Sequence, residues 1–438
     1  MASMDTTATA ATPASSGAPK PVSSDAPKPA SSDAPKLAPK GLLLLATGGS
    51  GGHIYPALAL APALRARGYK VAFIGQAGGM EATLIPDAGE RFYAVAAGKW
   101  RRGRPQLQQA WAALRGLWQA RQTLQGLSVE AVIGFGGFAS FPAVAAAWSL
   151  GLPLILHEGN AVPGKVTRWF ARRASLIGAS VAQLKTHLPS SCKLVTVGYP
   201  VRAVRWGKAE ARRQLGLPED ALVSLVMGGS QGSQCLNEAV PQALAQLQAE
   251  GHNPSDHHVL HSSGQRWYES LEARCQNLPR YHVSDYLDAL LAWAAADVAI
   301  SRAGMGTLSE AALHGVPLLM VPLPSAAENH QWHNAQAVAA RGGGYVVSED
   351  ALETFAATWL ELLNPHTRQQ ASAAQLQAAH PEAAAVFAAH IDALLYPPSA
   401  QAAAHSSHPI TPSEPTPADA LQLTEDADTP KSQETSCA

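Results

Sequence analysis

The sequence predicts an α/β protein built from two doubly wound, Rossmann-like halves followed and preceded by disordered tails. Three observations carry that prediction. Short apolar runs of strand length recur between helical stretches. Several of these runs end in glycine-rich turns that open a helix, as in folds that bind ligands at strand ends. The whole pattern then restarts at Leu222, after a charged spacer.

Gly41 to Ala46 is continuously apolar, as expected for a strand buried on both faces. It runs into Thr47-Gly48-Gly49-Ser50-Gly51-Gly52-His53, then Pro56 and an alanine- and leucine-rich helix. Pro62 is expected to kink that helix by removing a donor and crowding Leu58. Further strands are expected at Lys70 to Ile74, Phe92 to Ala96, near Val132, at Leu154 to Leu156, and near Leu176 and Val195. The cluster Lys99-Trp100-Arg101-Arg102-Gly103-Arg104 precedes a helix with Leu107, Trp111, Leu114 and Trp118 along one face. Gly134-Phe135-Gly136-Gly137-Phe138 makes a second glycine turn, and Gly198-Tyr199-Pro200-Val201-Arg202 closes this half.

A charged helix (Ala209 to Leu215) and a turn (Gly216 to Asp220) separate the halves. Leu222 to Met227 then reads as a buried strand, Gly228-Gly229-Ser230-Gln231-Gly232-Ser233 as a glycine turn, and Leu236 to Glu250 as a helix. Strands follow at Val259, Tyr281 to Val283, Val298 to Ile300, Leu318 to Val321 and Tyr345-Val346, with helices running to about Leu395. The expected organisation is a tail at 1–40, a first domain at 41–202, a second at 203–396 and a tail at 397–438. The tails are rich in Pro, Ala and Ser, which cannot bury enough surface to fold.

Composition excludes several classes. Among 438 residues, 32 Lys and Arg balance 33 Asp and Glu, so no global field argues for a nucleic-acid partner. Cys192, Cys235, Cys275 and Cys437 show no CxxC spacing, which argues against a zinc site or a disulfide framework and suits a reducing compartment. No apolar run reaches the roughly 18 residues of a spanning helix, and the N-terminus lacks the apolar centre of a signal peptide. A dinucleotide enzyme would show GxGxxG and an acid ending the second strand. Here the second strand ends in Gly75-Gln76, the nearest acid is Glu81, and GK[ST] is absent. No nicotinamide or nucleotide cofactor is expected.

The stretch Ser301-Arg302-Ala303-Gly304-Met305-Gly306-Thr307-Leu308-Ser309-Glu310 is the strongest ligand signal. Small residues at a helix start let backbone N–H groups approach an anion, and Glu310, one turn in, can accept from hydroxyls. A diphosphate beside a ribose needs such partners. Gly228 to Ser233 reads either as a phosphate turn or as a close strand–helix crossing. Asn329-His330-Gln331 reads as sugar-binding amide and imidazole groups, or as a helix start capped by Asn329. His53 reads as a neutral base at a helix start, or as a packed or capping histidine. The Trp111/Trp118 face reads either as an ordinary amphipathic helix packed on the sheet or as a membrane-surface patch. Asp426-Ala427-Asp428, the only Asp-x-Asp, lies in the C-terminal tail and reads as solvated charge. With no carboxylate pair in the core, no metal is expected. A diphosphate leaving group would then rely on helix N-termini and hydroxyls.

Taken in order, the Gly48 to Pro56 loop, Gly134 to Phe138, His157 to Asn160, Gly198 to Arg202, Gly228 to Gly232, Arg302 to Glu310 and Asn329 to Gln331 resemble the MurG family. These enzymes transfer N-acetylglucosamine from UDP-N-acetylglucosamine to undecaprenyl-pyrophosphoryl-N-acetylmuramyl-pentapeptide in peptidoglycan synthesis. The resemblance spans about Leu42 to Leu395 and implies the GT-B fold, with a cleft between the two domains. It implies that the backbone at Leu287 meets uracil, Glu310 the ribose, and Ser230 with Met305, Gly306 and Thr307 the diphosphate. His330 and Gln331 would hold the donor sugar, with Asn160 and Arg202 approaching from the first half. His53 would be the general base, and Ser50, Gly51 and Gly52 would receive the acceptor diphosphate. The region after Gly98 resembles the face that sits on the cytoplasmic side of the cell membrane. Gly159, where glutamine is usual, and Phe138-Ala139-Ser140-Phe141-Pro142 depart from the pattern.

The implied reaction is a single displacement with inversion at the anomeric carbon. A UDP-sugar epimerase on the same fold and a non-catalytic membrane-surface scaffold are the competing readings.

Overall fold

The computed structural model describes residues 39–98, 107–202, 206–229 and 231–397. Nearly all of both expected tails, with Asp426 and Asp428, lie outside the described residues, as do the Lys99 to Arg104 cluster and Ser230.

Seven parallel strands form the first sheet: β1 (Leu42–Ala46), β2 (Lys70–Gln76), β3 (Phe92–Val95), β4 (Val129–Gly134), β5 (Leu154–Glu158), β6 (Leu176–Ala179) and β7 (Leu194–Thr196). Their order is β3-β2-β1-β4-β5-β6-β7. The connecting helices are α1 (Gly51–Arg65), α2 (Glu81–Asp87), α3 (Leu107–Gly126), α4 (Gly137–Ser149) and α5 (Lys165–Phe170). After α6 (Lys208–Gln214) come the six parallel strands of the second sheet. These are β8 (Leu222–Met227), β9 (His257–Ser262), β10 (Tyr281–Ser284), β11 (Val298–Ser301), β12 (Leu318–Met320) and β13 (Gly344–Val346), in the order β10-β9-β8-β11-β12-β13. Its helices are α7 (Gln234–Ala249), α8 (Tyr268–Cys275), α9 (Ala289–Ala295), α10 (Met305–His314), α11 (His330–Ala340), α12 (Phe355–Leu363) and α13 (Pro365–Gln377). The last helix is α14 (Ala383–Leu395).

The unbroken apolar run of β1 is explained by its two faces. Leu44 and Ala46 enter one core layer, whereas Leu43 and Leu45 enter the layer on the opposite side of the sheet. Burial of each leucine contributes about 1.5–3 kcal/mol. β11 repeats the device: Val298 and Ile300 face one layer and Ala299 the other. In each sheet the strand order reverses beside the first strand, between β1 and β4 and between β8 and β11. The glycine turns fall at these switch points, where open sheets take ligands.

α1 runs unbroken through both Pro56 and Pro62. Two expectations need correction. The Trp111, Leu114 and Trp118 stripe of α3 does not pack on the sheet; these side chains are 71%, 59% and 60% exposed. A second stripe, Gly116, Ala120 and Leu124, makes the inward face, and Gly116 approaches so closely that a Cβ would sit 1.8 Å from the Ala96 carbonyl oxygen. Helical spacing marks an apolar stripe without saying which side it faces.

The second correction concerns α14, which was expected within the second half at 203–396. It packs on α1, and its Phe387, Ala388 and Ile391 share a core layer with Leu43, Ile54 and Leu60. Asp392 adds an ion pair with Lys40, accepts from Tyr69 Oη at 2.8 Å and lies 3.4 Å from Arg67 Nη1. Periodicity shows that α14 has a face to bury but cannot show against which sheet.

Candidate active site

The loop after β1 is held from outside itself. Glu81 is fully buried at the start of α2, and its carboxylate accepts from the Gly49 amide at 3.1 Å and the Gln76 amide at 3.0 Å. In the sequence Glu81 stands out only as the nearest acid after the second strand. Its place directly after the β2 turn was the available signal that it braces the loop. Thr47 Oγ1 donates to the His53 carbonyl at 2.5 Å. Ser50 Oγ lies 2.9 Å from His53 Nδ1 and so fixes the imidazole plane.

The turn after β4 closes on the same ring. Gly137 has φ of 71°, and a Cβ there would stand 3.1 Å from His53 Nδ1 and 2.8 Å from the Gly48 carbonyl oxygen. Only glycine permits both the left-handed backbone and this approach. His53 is half-buried, with the Gly136–Gly137 turn closed over its ring. That burial, with His330 nearby, lowers its pKa to about 4. His53 is therefore neutral at pH 7.

In the second half, β11 leads through Gly304 into α10. The first amides of α10, those of Met305, Gly306 and Thr307, have no partner within the helix and sit at its positive end. Glu310 points from the second turn, where Trp293 Nε1 donates to Oε2 at 2.8 Å. Burial raises the Glu310 pKa, against the Trp293 bond and the Arg202 charge. Arg302 is not a ligand group: it donates to the Val321 carbonyl at 3.0 Å and pairs with Glu349 at 2.6 Å, bracing the turn after β12. Gln331 Oε1 accepts from the Ala303 amide at 3.2 Å and the Leu323 amide at 2.9 Å. Its carbonyl thus joins two turns, and its amide N–H groups are the part suited to a ligand hydroxyl. Asn329 precedes α11 in the left-handed region at φ of 52° and makes no side-chain cap bond. The partly buried Leu287 packs on the same core layer as Met305.

The halves meet across these loops. Asn334 Nδ2 donates to Asn160 Oδ1 at 3.2 Å, and Asn160 is held by the buried Glu158. Within the first half, Tyr199 Oη donates to the Gly52 carbonyl at 2.8 Å. Arg202 is exposed and lies within electrostatic range of both Glu310 and Tyr55. Ser50, Gly51, Gly52 and His53 thus come from the start of α1, and Met305, Gly306, Thr307 and Glu310 from the start of α10. A separate cavity of about 320 Å³ between the halves is lined by Leu308, Ser309 and Ala312 rather than by Thr307 or Glu310.

Comparison with known proteins agrees with this arrangement. Residues 43–178 match the glycosyltransferase family 28 N-terminal domain, and residues 223–387 match the family 28 C-terminal domain. The UDP-N-acetylglucosamine--N-acetylmuramyl-(pentapeptide) pyrophosphoryl-undecaprenol N-acetylglucosamine transferase of Deinococcus radiodurans is 46% identical over 397 residues, covering 84% of this chain and 99% of that protein. The chain belongs to the MurG family. The transferase of the same name from Thermus thermophilus is 41% identical over 331 residues, covering 75% of this chain and 94% of the relative. The crystal structure of Acinetobacter baumannii MurG superposes with a TM-score of 0.64 at 30% identity, covering 81% of this chain and 99% of that one. The two parallel sheets are the GT-B architecture of MurG, and the chain is an N-acetylglucosaminyltransferase.

Proposed function

We propose that this enzyme transfers N-acetylglucosamine, with inversion, from UDP-N-acetylglucosamine to the 4-hydroxyl of a lipid-linked N-acetylmuramyl-pentapeptide acceptor. The observation that carries the reading is the neutral imidazole of His53 at the start of α1, whose burial, with the lesser influence of His330 from the second half, lowers its pKa to about 4. In the tautomer whose Nδ1–H donates to Ser50 Oγ, 2.9 Å away, Nε2 keeps a lone pair for the acceptor hydroxyl proton. As the 4-hydroxyl attacks the anomeric carbon, UDP departs against the amides of Met305, Gly306 and Thr307, whose helix end opposes its growing charge. Ser230 joins them at the diphosphate.

Glu310 Oε1 accepts from the ribose hydroxyls while Trp293 holds Oε2. The backbone at Leu287 meets uracil. His330 and the Gln331 amide hold the donor sugar, with Asn160 and Arg202 reaching over from the first half. Ser50, Gly51 and Gly52 receive the acceptor diphosphate. The names borne by the D. radiodurans and T. thermophilus relatives favour this transfer over an epimerase or a scaffold.

The test is UDP release from UDP-N-acetylglucosamine in EDTA, with and without a lipid-pyrophosphoryl-N-acetylmuramyl acceptor. Acceptor-dependent release that survives chelation is expected. Release without acceptor would replace the transferase by a hydrolase or epimerase, and donor binding with no release would leave only a scaffold.

The enzyme works from the cytoplasmic face of the cell membrane as a peripheral protein, with no nucleic-acid partner. Among the described residues, no helix is long and apolar enough to cross a membrane. Trp111 and Trp118 of α3 point outward, Trp148 and Trp169 are half-exposed, and Arg173 lies 4.7 Å over the Trp148 ring. Aromatic rings beside cations suit an anionic lipid interface. Replacing Trp111 and Trp118 together by serine should cut binding to phosphatidylglycerol vesicles by roughly tenfold, while turnover of a detergent-soluble acceptor stays within twofold. Undiminished vesicle sedimentation of the double variant would move the membrane face elsewhere.

A further inference from the structure

An α-helix satisfies each carbonyl with the amide four residues on. Within α1 the Gly52 carbonyl should therefore meet the residue-56 amide, and residue 56 is proline. Proline has no hydrogen to give, and its ring pushes the carbonyl four residues back away from the helix axis. That carbonyl lies in the first turn of α1, directly before His53. The His53 and Ile54 amides still close the turn on the Ser50 carbonyl, but the Gly52 carbonyl beside the imidazole would lack its helical donor.

We propose that Tyr199 is a positioning residue that supplies the hydrogen Pro56 lacks and so sets the loop carrying His53 against the start of α10. Its hydroxyl reaches the Gly52 carbonyl oxygen at 2.8 Å, from a position 147 residues further along the chain. The side chain is buried at 4% exposure. Burial, reinforced by the Glu310 charge, raises the phenol pKa, so the group stays a donor at any working pH. Its ring is fixed on both sides. It packs edge-on against His157 with centroids 5.9 Å apart, and it lies over Gly159, where a Cβ would stand 3.0 Å from ring Cε2. Met305 Cβ lies 4.0 Å from that same point, and a Cβ on Gly306 would be 3.5 Å from the Tyr199 hydroxyl oxygen. One side chain thus bonds the turn that bears the base and lies beside the helix start assigned to the leaving diphosphate. The glycine at 159 gains a reason as well: the tyrosine ring fills the room a side chain there would need.

The kinetic consequence rests on His53 as the base, but the tether itself can be read without it. Tyr199→Phe keeps the ring and deletes the donor. We expect kcat to fall by about tenfold with the donor KM within twofold. We also expect the His53 imidazole, followed by NMR in protein labelled with 13C-histidine and assigned with His53→Asn, to titrate well above about 4, since a loosened turn admits water. Pro56→Ala restores an amide hydrogen at the position the helix requires. The double variant Pro56→Ala/Tyr199→Phe should therefore regain most of the lost kcat and return the His53 titration to its low value.

Unchanged kcat and titration in Tyr199→Phe would overturn the proposal, and so would a loss that Pro56→Ala does not relieve, because either result makes Tyr199 mere packing. Should Tyr199→Phe alone fail to fold, recovery of the fold in the double variant supports the tether and persistent misfolding refutes it. Failure of the base assignment looks different: turnover would survive His53→Ala, while the titration and the rescue would still judge the tether.

Discussion

His53→Ala should lower turnover by about 10²–10⁴-fold while leaving UDP-N-acetylglucosamine binding within a few-fold of the parent protein. The size follows from losing general-base assistance in the transition state, an interaction absent from the ground state and so invisible to donor affinity. Donor contacts are assigned to the α10 and α11 starts, whereas His53 lies at the start of α1, so deletion of its ring leaves the Glu310–Trp293 bond and the Gln331 bonds in place. The measurements are kcat with a lipid-linked acceptor and the donor Kd by calorimetry, both at pH 7. A turnover loss matched by an equal loss of donor affinity would assign His53 to binding, and unchanged turnover would remove it from the chemistry.

Acidification should destabilise the fold well before the carboxylates titrate. His157, His257 and His261 are nearly or fully inaccessible. Burial holds the first two at pKa about 4 and the third at about 3. Each is satisfied as a neutral ring: His157 near the Gly198 carbonyl and Ser180 Oγ, His257 between Ser224 and Asn253, His261 between Tyr281 and Asn237. In the unfolded chain these rings return to about 6.5. Their folded values are depressed, so the unfolded chain binds the extra protons as the pH drops below 6.5, and stability is lost from there down towards pH 4. Above pH 6.5 the three cost nothing. At pH 5.5 each removes about 1.4 kcal/mol, roughly 4 kcal/mol together, against a typical total of about 5–15. Urea midpoints at pH 7.5 and 5.5 give the check. Equal midpoints would mean that the buried rings titrate normally.

How far the sequence could be read depended on whether the relevant contact was local. The strands were legible because an apolar run such as Leu42 to Ala46 needs burial on both faces wherever it lies, and the glycine turns because a left-handed backbone advertises itself. The start of α1 was legible for that reason, and with it His53. The start of α10 has Gly304 at an ordinary φ of -75° and was legible from its small residues at a helix start, which brought Glu310 and the Met305 to Thr307 turn as candidates. The bonds that hold those positions in place were not. Glu81 to Gly49, Tyr199 to Gly52 and Asn334 to Asn160 join segments 32, 147 and 174 residues apart, and no periodicity encodes them. The same limit hid the outward face of α3. Its tryptophan stripe and its Gly116-Ala120-Leu124 stripe have the same helical spacing, and only the neighbouring Ala96 carbonyl decides which turns inward.

The return of α14 to the first sheet makes the polypeptide a closed strap around the cleft. The chain crosses from one half to the other after Arg202 and crosses back before Ala383, so two covalent strands span the gap. The first half is also not severable at Arg202. A fragment ending there would bare the seat of Phe387, Ala388 and Ile391 beside Leu43, Ile54 and Leu60, and would lose the carboxylate that holds Lys40 and Tyr69.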